Sequence, residues 1–408
     1  MAVRELLFIP GPVTVSERVL AAMTRPLIDH RGAAFSELVE RINARLRPIF
    51  GTEEAEIVLL GSSGTGGLEA AIANAFSPGD RLLAAPMGAF GERMIAIART
   101  YGMTVDALEA RPGFAVDPRE FAQRLNDDND RRYRGILLTH NETSTGVQSD
   151  MGELAAIAQA HGALTVVDSV SGLGATDFRM DEWGYDIVVG ASQKVLAAPP
   201  GVAMLAISPG AWSAIEASKT PRFYFDLMRA REFARQGQMP WTSPVSTMFA
   251  LDVALEQYQR EGARAVHRRL AMYAEAIRAA FTALGLEVFS QDGAHSVTVV
   301  TAKIPSGVDV AGLLRGLREE RGVTLAGGQL DLKGKIVRMG TMGDISQTDV
   351  LAAIGAIEIA LLAYDAPVRV GAAGKAALSV FLNVGGITPG DARKSSAQMD
   401  AQTTGKSR

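Results

Sequence analysis

The feature that most limits how this chain can fold is an alternation running from about Glu54 to Ile207. Short apolar runs lie at residues 56–60, 81–85, 104–108, 135–139, 164–168, 186–190 and 202–207. Between them come amphipathic stretches of helical length, beginning near Gly67 and Gly91 and covering 118–125 and 151–159. Strands separated by helices make βαβ units, and these build an α/β fold with a mostly parallel sheet flanked by helices on both faces.

The pattern changes after about Gly210. Residues 246–261 and 263–284 read as long helices. Shorter elements follow at 288, 296–304, 309–320, 323–325, 335–339 and 350–363. That succession predicts a smaller C-terminal α+β domain over 259–385, after a large domain over 16–258. Residues 386–408 are polar, rich in Ser, Thr, Gln, Lys and Asp, and read as a flexible tail.

Composition narrows the function. The 408 residues carry a net charge of only −4, which argues against a surface built for nucleic acid. No apolar run reaches the roughly 20 residues that span a membrane. The chain has no cysteine, so it has no disulfide, thiolate metal site or cysteine nucleophile. These features suit a soluble, cytoplasmic protein with neither a membrane nor a nucleic-acid partner. The five histidines show no metal-ligand spacing, so no metal is expected.

Ligands of open α/β sheets sit at the carboxyl ends of strands, and three polar segments fall there. Gly61-Ser62-Ser63-Gly64-Thr65-Gly66-Gly67 follows a strand and opens a helix. Its glycines would let backbone N–H groups approach an anion, though alone it could equally be a tight turn. Asp168 ends an apolar strand, where an acid needs either a cation or a capping role. Lys194 sits in the apolar context Gly190-Ala191-Ser192-Gln193-Lys194-Val195-Leu196, before Pro199-Pro200-Gly201. Burial would depress its pKa, as a Schiff-base amine requires. An exposed loop lysine is the plainer alternative.

In this order the three segments resemble pyridoxal-phosphate (PLP) enzymes of fold type I. Further signatures are Pro10-Gly11-Pro12, Thr139-His140-Asn141-Glu142-Thr143-Ser144-Thr145-Gly146, Gly327-Gly328-Gln329 and Lys333-Gly334-Lys335-Ile336-Val337-Arg338-Met339-Gly340. With these, nearly the whole chain resembles the class V aminotransferases, in particular the alanine–glyoxylate and serine–glyoxylate branch. The resemblance implies a large PLP-binding domain, a smaller C-terminal domain, and an N-terminal segment, residues 1–15, near the active site.

It also implies roles. Lys194 would form the Schiff base with the cofactor and move the substrate proton. Asp168 would hold the pyridine nitrogen protonated. Val170 would pack on one face of the ring and Phe90 on the other, where many relatives have tryptophan. Ser63, Gly64 and Thr65 would bind the phosphate, with Gln193 adding a contact, and Thr143 would touch the cofactor. Thr242, in Pro240-Trp241-Thr242-Ser243-Pro244, would reach the phosphate of a neighbouring subunit in a homodimer with a shared active site. Close relatives often carry a tyrosine there, whereas this chain has Met239 and Trp241. Arg338 would grip the substrate carboxylate, a task suited to a planar guanidinium, and Gly11 would lie close to the substrate.

The expected activity is transfer of an amino group from a small amino acid to a 2-oxo acid such as glyoxylate or pyruvate. Arg31 and Arg222 are the two arginines whose placement could instead favour an acidic donor. The alternatives are a lyase or aldolase on the same cofactor, or a non-catalytic class V subunit. Absence of cysteine disfavours cysteine desulfurase, which shares the fold.

Overall fold

The computed structural model describes residues 5–385; the predicted tail, residues 386–408, lies outside the described residues. The expected strands pair into a seven-stranded sheet. Across the sheet their order is Glu56–Leu60, Ala203–Ile207, Ile187–Ala191, Leu164–Asp168, Tyr133–Thr139, Arg81–Ala85 and Thr104–Ala107. Only Ala203–Ile207 runs antiparallel to its neighbours.

Because successive strand side chains face opposite ways, the inner strands feed two cores. Ile57, Leu59, Leu83, Ala85, Ile136 and Leu138 pack on one face. Val58, Leu60, Leu82, Ala84 and Leu137 pack on the other. This explains why the strands read as unbroken apolar runs rather than as an alternation.

Sequence reading leaves residues 33–50 unassigned, yet they form the helix Ala33–Phe50. Its buried Phe35, Leu38, Val39, Ile42, Leu46 and Ile49 follow helical spacing. Two shorter helices, Ala211–Ala217 and Leu227–Ala234, also go unassigned in the sequence, as does Ala372–Gly385 near the end.

A second, antiparallel sheet follows, ordered Glu287–Val288, Val299–Lys303, Ile336–Gly340, Ala326–Gly327. It shares a third core with the helices Ala263–Ala283, Val310–Arg321, Gln347–Leu362 and Ala372–Gly385. Residues 6–8 join this unit. Leu6–Leu7 pairs in parallel with Val323–Thr324, and Phe8 is buried in the third core. The chain then crosses to the large sheet at Pro10-Gly11-Pro12.

Candidate active site

The strand Leu164–Asp168 ends in a carboxylate that is buried and poorly partnered. Asp168 is 4% exposed, and its Oδ1 accepts the Val170 N–H at 2.9 Å. Burial pushes its pKa up to about 7. The Val170 N–H, Lys194 and Arg93 oppose the rise, while the negative charge of Glu142 adds to it.

On the neighbouring strand, Ile187–Ala191 leads into the turn bearing Lys194. Ser192 Oγ pins that turn by donating to the Pro199 carbonyl at 2.7 Å. Lys194 Nζ donates to the Pro10 carbonyl at 2.6 Å. Burial lowers the pKa of this amine to about 8, against the pull of Asp168 and helped by Arg338 and Arg93. Gly11 closes over it with φ +134°, and a Cβ there would fall 2.8 Å from Nζ. A larger residue would therefore meet both backbone strain and the lysine.

The glycine-rich loop becomes the start of the helix Gly64–Ala75, earlier than the expected Gly67. Its Ser63 N-cap makes no side-chain hydrogen bond, so the first-turn N–H groups are left to a ligand or solvent. A Cβ on Gly64 would lie 2.7 Å from Val170 Cγ2, which fixes how closely this loop meets the Asp168 loop.

Phe90 lies in the first turn of the helix Ala89–Thr100. Glu142 Oε2 accepts the N–H groups of Phe90 and Gly91 at 3.0 and 3.1 Å. Its Oε1 accepts from Ser144 N and Oγ. A carboxylate at a helix N-terminus is favoured by the helix dipole. Thr143, beside it, is buried and gives its carbonyl to Arg338 Nη1 at 3.0 Å. Arg338 Nε donates to the Gly327 carbonyl at 2.8 Å. Among the described residues, one Nη1 proton and the whole of Nη2 have no acceptor.

Two of the expected residues make little contact within their own chain. Gln193 accepts only a long hydrogen bond from Ser192 Oγ, at 3.5 Å. Thr242 is exposed and bonds to none of residues 63–65 in its own chain, although Pro244 packs beside Gly61. The tyrosine missing from that segment has a neighbour elsewhere: Tyr224 stacks on Trp241 at 5.7 Å and donates to the Gly61 carbonyl at 3.4 Å. His140 is fully buried behind the site, its Nδ1 2.9 Å from Ser169 Oγ, and burial lowers its pKa to about 4.

Arg31 and Arg222 are spent on structure. Arg31 donates to Gln238 Oε1 and to the carbonyls of Met239, Pro240 and Trp241. Arg222 donates to the Ser218, Thr220 and Ile215 carbonyls.

Sequence reasoning missed Glu142 and Arg93. Glu142 lay inside a quoted motif, with nothing to show its four contacts. Arg93 follows Phe90 by three residues, a spacing that puts both on one helix face.

A basic lysine, a buried acid lacking a cation, and an open helix N-terminus form the donor set of an enzyme that holds a phosphorylated pyridine aldehyde. The residues fit PLP: its protonated ring nitrogen would supply the charge Asp168 lacks, and its phosphate would meet the free N–H groups. The aminotransferase class-V family model matches residues 14–339, and the chain belongs to that family. It is a PLP-dependent transaminase of fold type I.

Its relatives carry varied names. It is 38% identical to the soluble hydrogenase small subunit of a Synechococcus species, over 88% of this chain and 93% of that one. It is 36% identical to the L-aspartate–glyoxylate aminotransferase of Paracoccus denitrificans, over 90% of this chain and 93% of that one. Among solved structures, the ureidoglycine–glyoxylate aminotransferase of Bacillus subtilis superposes with a TM-score of 0.88 at 28% identity, covering 93% of this chain and 99% of that one. No described helix is long and apolar enough to cross a membrane.

Proposed function

We propose that this transaminase takes its amino group from a small neutral amino acid, alanine or serine in type, and delivers it to glyoxylate or pyruvate. The observation that carries the donor class is the contrast among the arginines. Arg338 keeps free donors for one carboxylate, whereas Arg31 and Arg222 are bound to their own backbone.

When bound, PLP supplies the electron sink that makes the amino acid's Cα proton removable. Lys194 Nζ, its pKa lowered by burial to about 8, would take that proton from Cα and deliver it to the cofactor's C4′ carbon. Asp168 holds the proton on the ring nitrogen. Val170 and Phe90 flank the ring. Ser63, Gly64, Thr65 and Gln193 hold the phosphate, and Thr143 borders the cofactor while fixing Arg338. Gly11 leaves room for the substrate.

Thr242 serves the site of a second copy in a homodimer. In support, Phe223 and Tyr224, both exposed, stack with Trp241 beside the phosphate loop. The large domain over 16–258 and the smaller one over 259–385 carry opposite walls of this site.

A non-catalytic subunit, as the hydrogenase name of one relative suggests, has no use for a buried acid without a cation or for a lysine of lowered pKa. The second reading is an acidic donor, because the Paracoccus relative is named for aspartate. The test is to load the protein with PLP and add amino acids singly, following the visible spectrum. Alanine or serine should discharge the absorbance and glyoxylate or pyruvate restore it, while Lys194→Ala should not respond. Discharge by aspartate alone would transfer the assignment to acidic donors. Discharge by no amine would refute the amino-donor assignment altogether.

A further inference from the structure

Arg93 stands one turn beyond Phe90 on the helix Ala89–Thr100, and its guanidinium lies 4.6 Å from the centre of the Phe90 ring. Its Nη1 donates to Thr65 Oγ1 at 3.1 Å. Among the described residues it forms no ion pair, although its charge reaches far enough into the site to lower the pKa of both Asp168 and Lys194.

A hydroxyl has one proton to donate and two lone pairs to accept with. Arg93 occupies a lone pair of Thr65, and Thr65 Oγ1 donates to no acceptor among the described residues. The threonine proton is thereby turned away from the guanidinium. It lies in the first turn of Gly64–Ala75, among N–H groups that the Ser63 side chain does not cap.

We propose that Arg93 is a positioning residue for the cofactor's phosphate: by donating to the Thr65 hydroxyl, it commits that hydroxyl to donate its own proton to the phosphate. The Phe90 ring keeps the guanidinium in place. One arginine thus couples the ring-stacking wall to the phosphate loop. The inference rests on the assignment of residues 63–65 to the phosphate.

The test is a binding measurement on apoprotein with two probes: PLP, and pyridoxal, which lacks the phosphate. Thr65→Val should weaken PLP about tenfold and leave pyridoxal within about twofold, as expected for one hydrogen bond to a charged group. Arg93→Gln should reproduce that selective loss. In the Thr65→Val background it should add no more than about twofold, since its route is already cut. Arg93→Lys, which keeps a donor, should recover part of the loss, and it runs the same cycle if Arg93→Gln fails to fold.

Equal losses for PLP and pyridoxal would overturn the proposal, because a merely structural arginine acts on both. So would fully additive losses in the double variant, since Arg93 would then not act through Thr65. If Thr65→Val shows no preference between the probes, the phosphate-loop assignment falls, and the proposal with it.

Discussion

Two buried aspartates at opposite ends of neighbouring parallel strands are treated in opposite ways. Asp128 lies just before Tyr133–Thr139, at the amino end of the sheet. Asp168 closes Leu164–Asp168 at the carboxyl end. Burial alone would raise the pKa of both. At Asp128 the N–H groups of Tyr133 and Arg132, then the His161 and Arg132 side chains, overcome it and bring the value down to about 2. Asp168 has a single N–H donor, and its pKa rises to about 7. The same side chain thus serves as a saturated brace at one end of the sheet and as an acid awaiting a cation at the other. Two things separate them: the number of donors, and depth, since Asp128 lies close under the surface beside the exposed Arg132 whereas Asp168 lies deep in the site.

The largest effect expected from this contrast is on catalysis. Asp168→Asn should lower kcat by about 10^2–10^4-fold, the range of an essential proton-holding group. It should also stabilise the apoprotein, and the sign follows from linkage. Below pH 4 both the folded and unfolded acid are protonated, and Asp168 contributes nothing. As pH rises from about 4 to 7, the unfolded chain ionises while the folded one retains its proton. The penalty is complete above pH 7, on the order of 2 kcal/mol or more. Denaturant melts of the apoproteins should therefore favour Asp168→Asn at pH 8 and show no difference near pH 4. A less stable variant at pH 8 would mean that Asp168 has a partner after all, and the contrast would be broken.

Next in size is Arg338→Lys. Losing the planar fork should raise the donor KM about 10–100-fold, read from half-reaction kinetics. An unchanged KM would place carboxylate recognition elsewhere. The smallest effect belongs to the brace. Asp128→Ala should cost about 2 kcal/mol of stability while leaving kcat of the folded enzyme unchanged. The Asp128 contribution should fade as pH falls from about 4 through 2, the reverse of the Asp168 dependence. A loss of kcat in Asp128→Ala would join the two aspartates into one system and end the comparison.

Much of the large sheet is legible in the sequence because buried parallel strands leave continuous apolar runs. Residues 56–60, 81–85 and 164–168 read with the bounds the structure gives them. The helix Ala33–Phe50 is harder to see, since it precedes the alternation that draws attention. At the site, Lys194, Asp168 and the glycine loop are visible because each breaks an apolar rule locally. Glu142 and Arg93 break none. Each is an ordinary charged residue until the fold brings Phe90, Thr65 and Ser144 against it. Thr242 makes no hydrogen bond to residues 63–65 of its own chain, a relation that no spacing within the sequence could reveal.

The pairing of Leu6–Leu7 with Val323–Thr324 has a consequence for the order in which a ribosome-bound chain can finish its site. Residues 6–11 must wait for the strand Val323–Thr324 before Pro10 and Gly11 can settle over Lys194. The large sheet can form while translation continues, because all its strands end by Ile207. The wall that covers the lysine cannot. The covering of Lys194 is therefore completed after the large sheet, by a segment that precedes that sheet in the sequence.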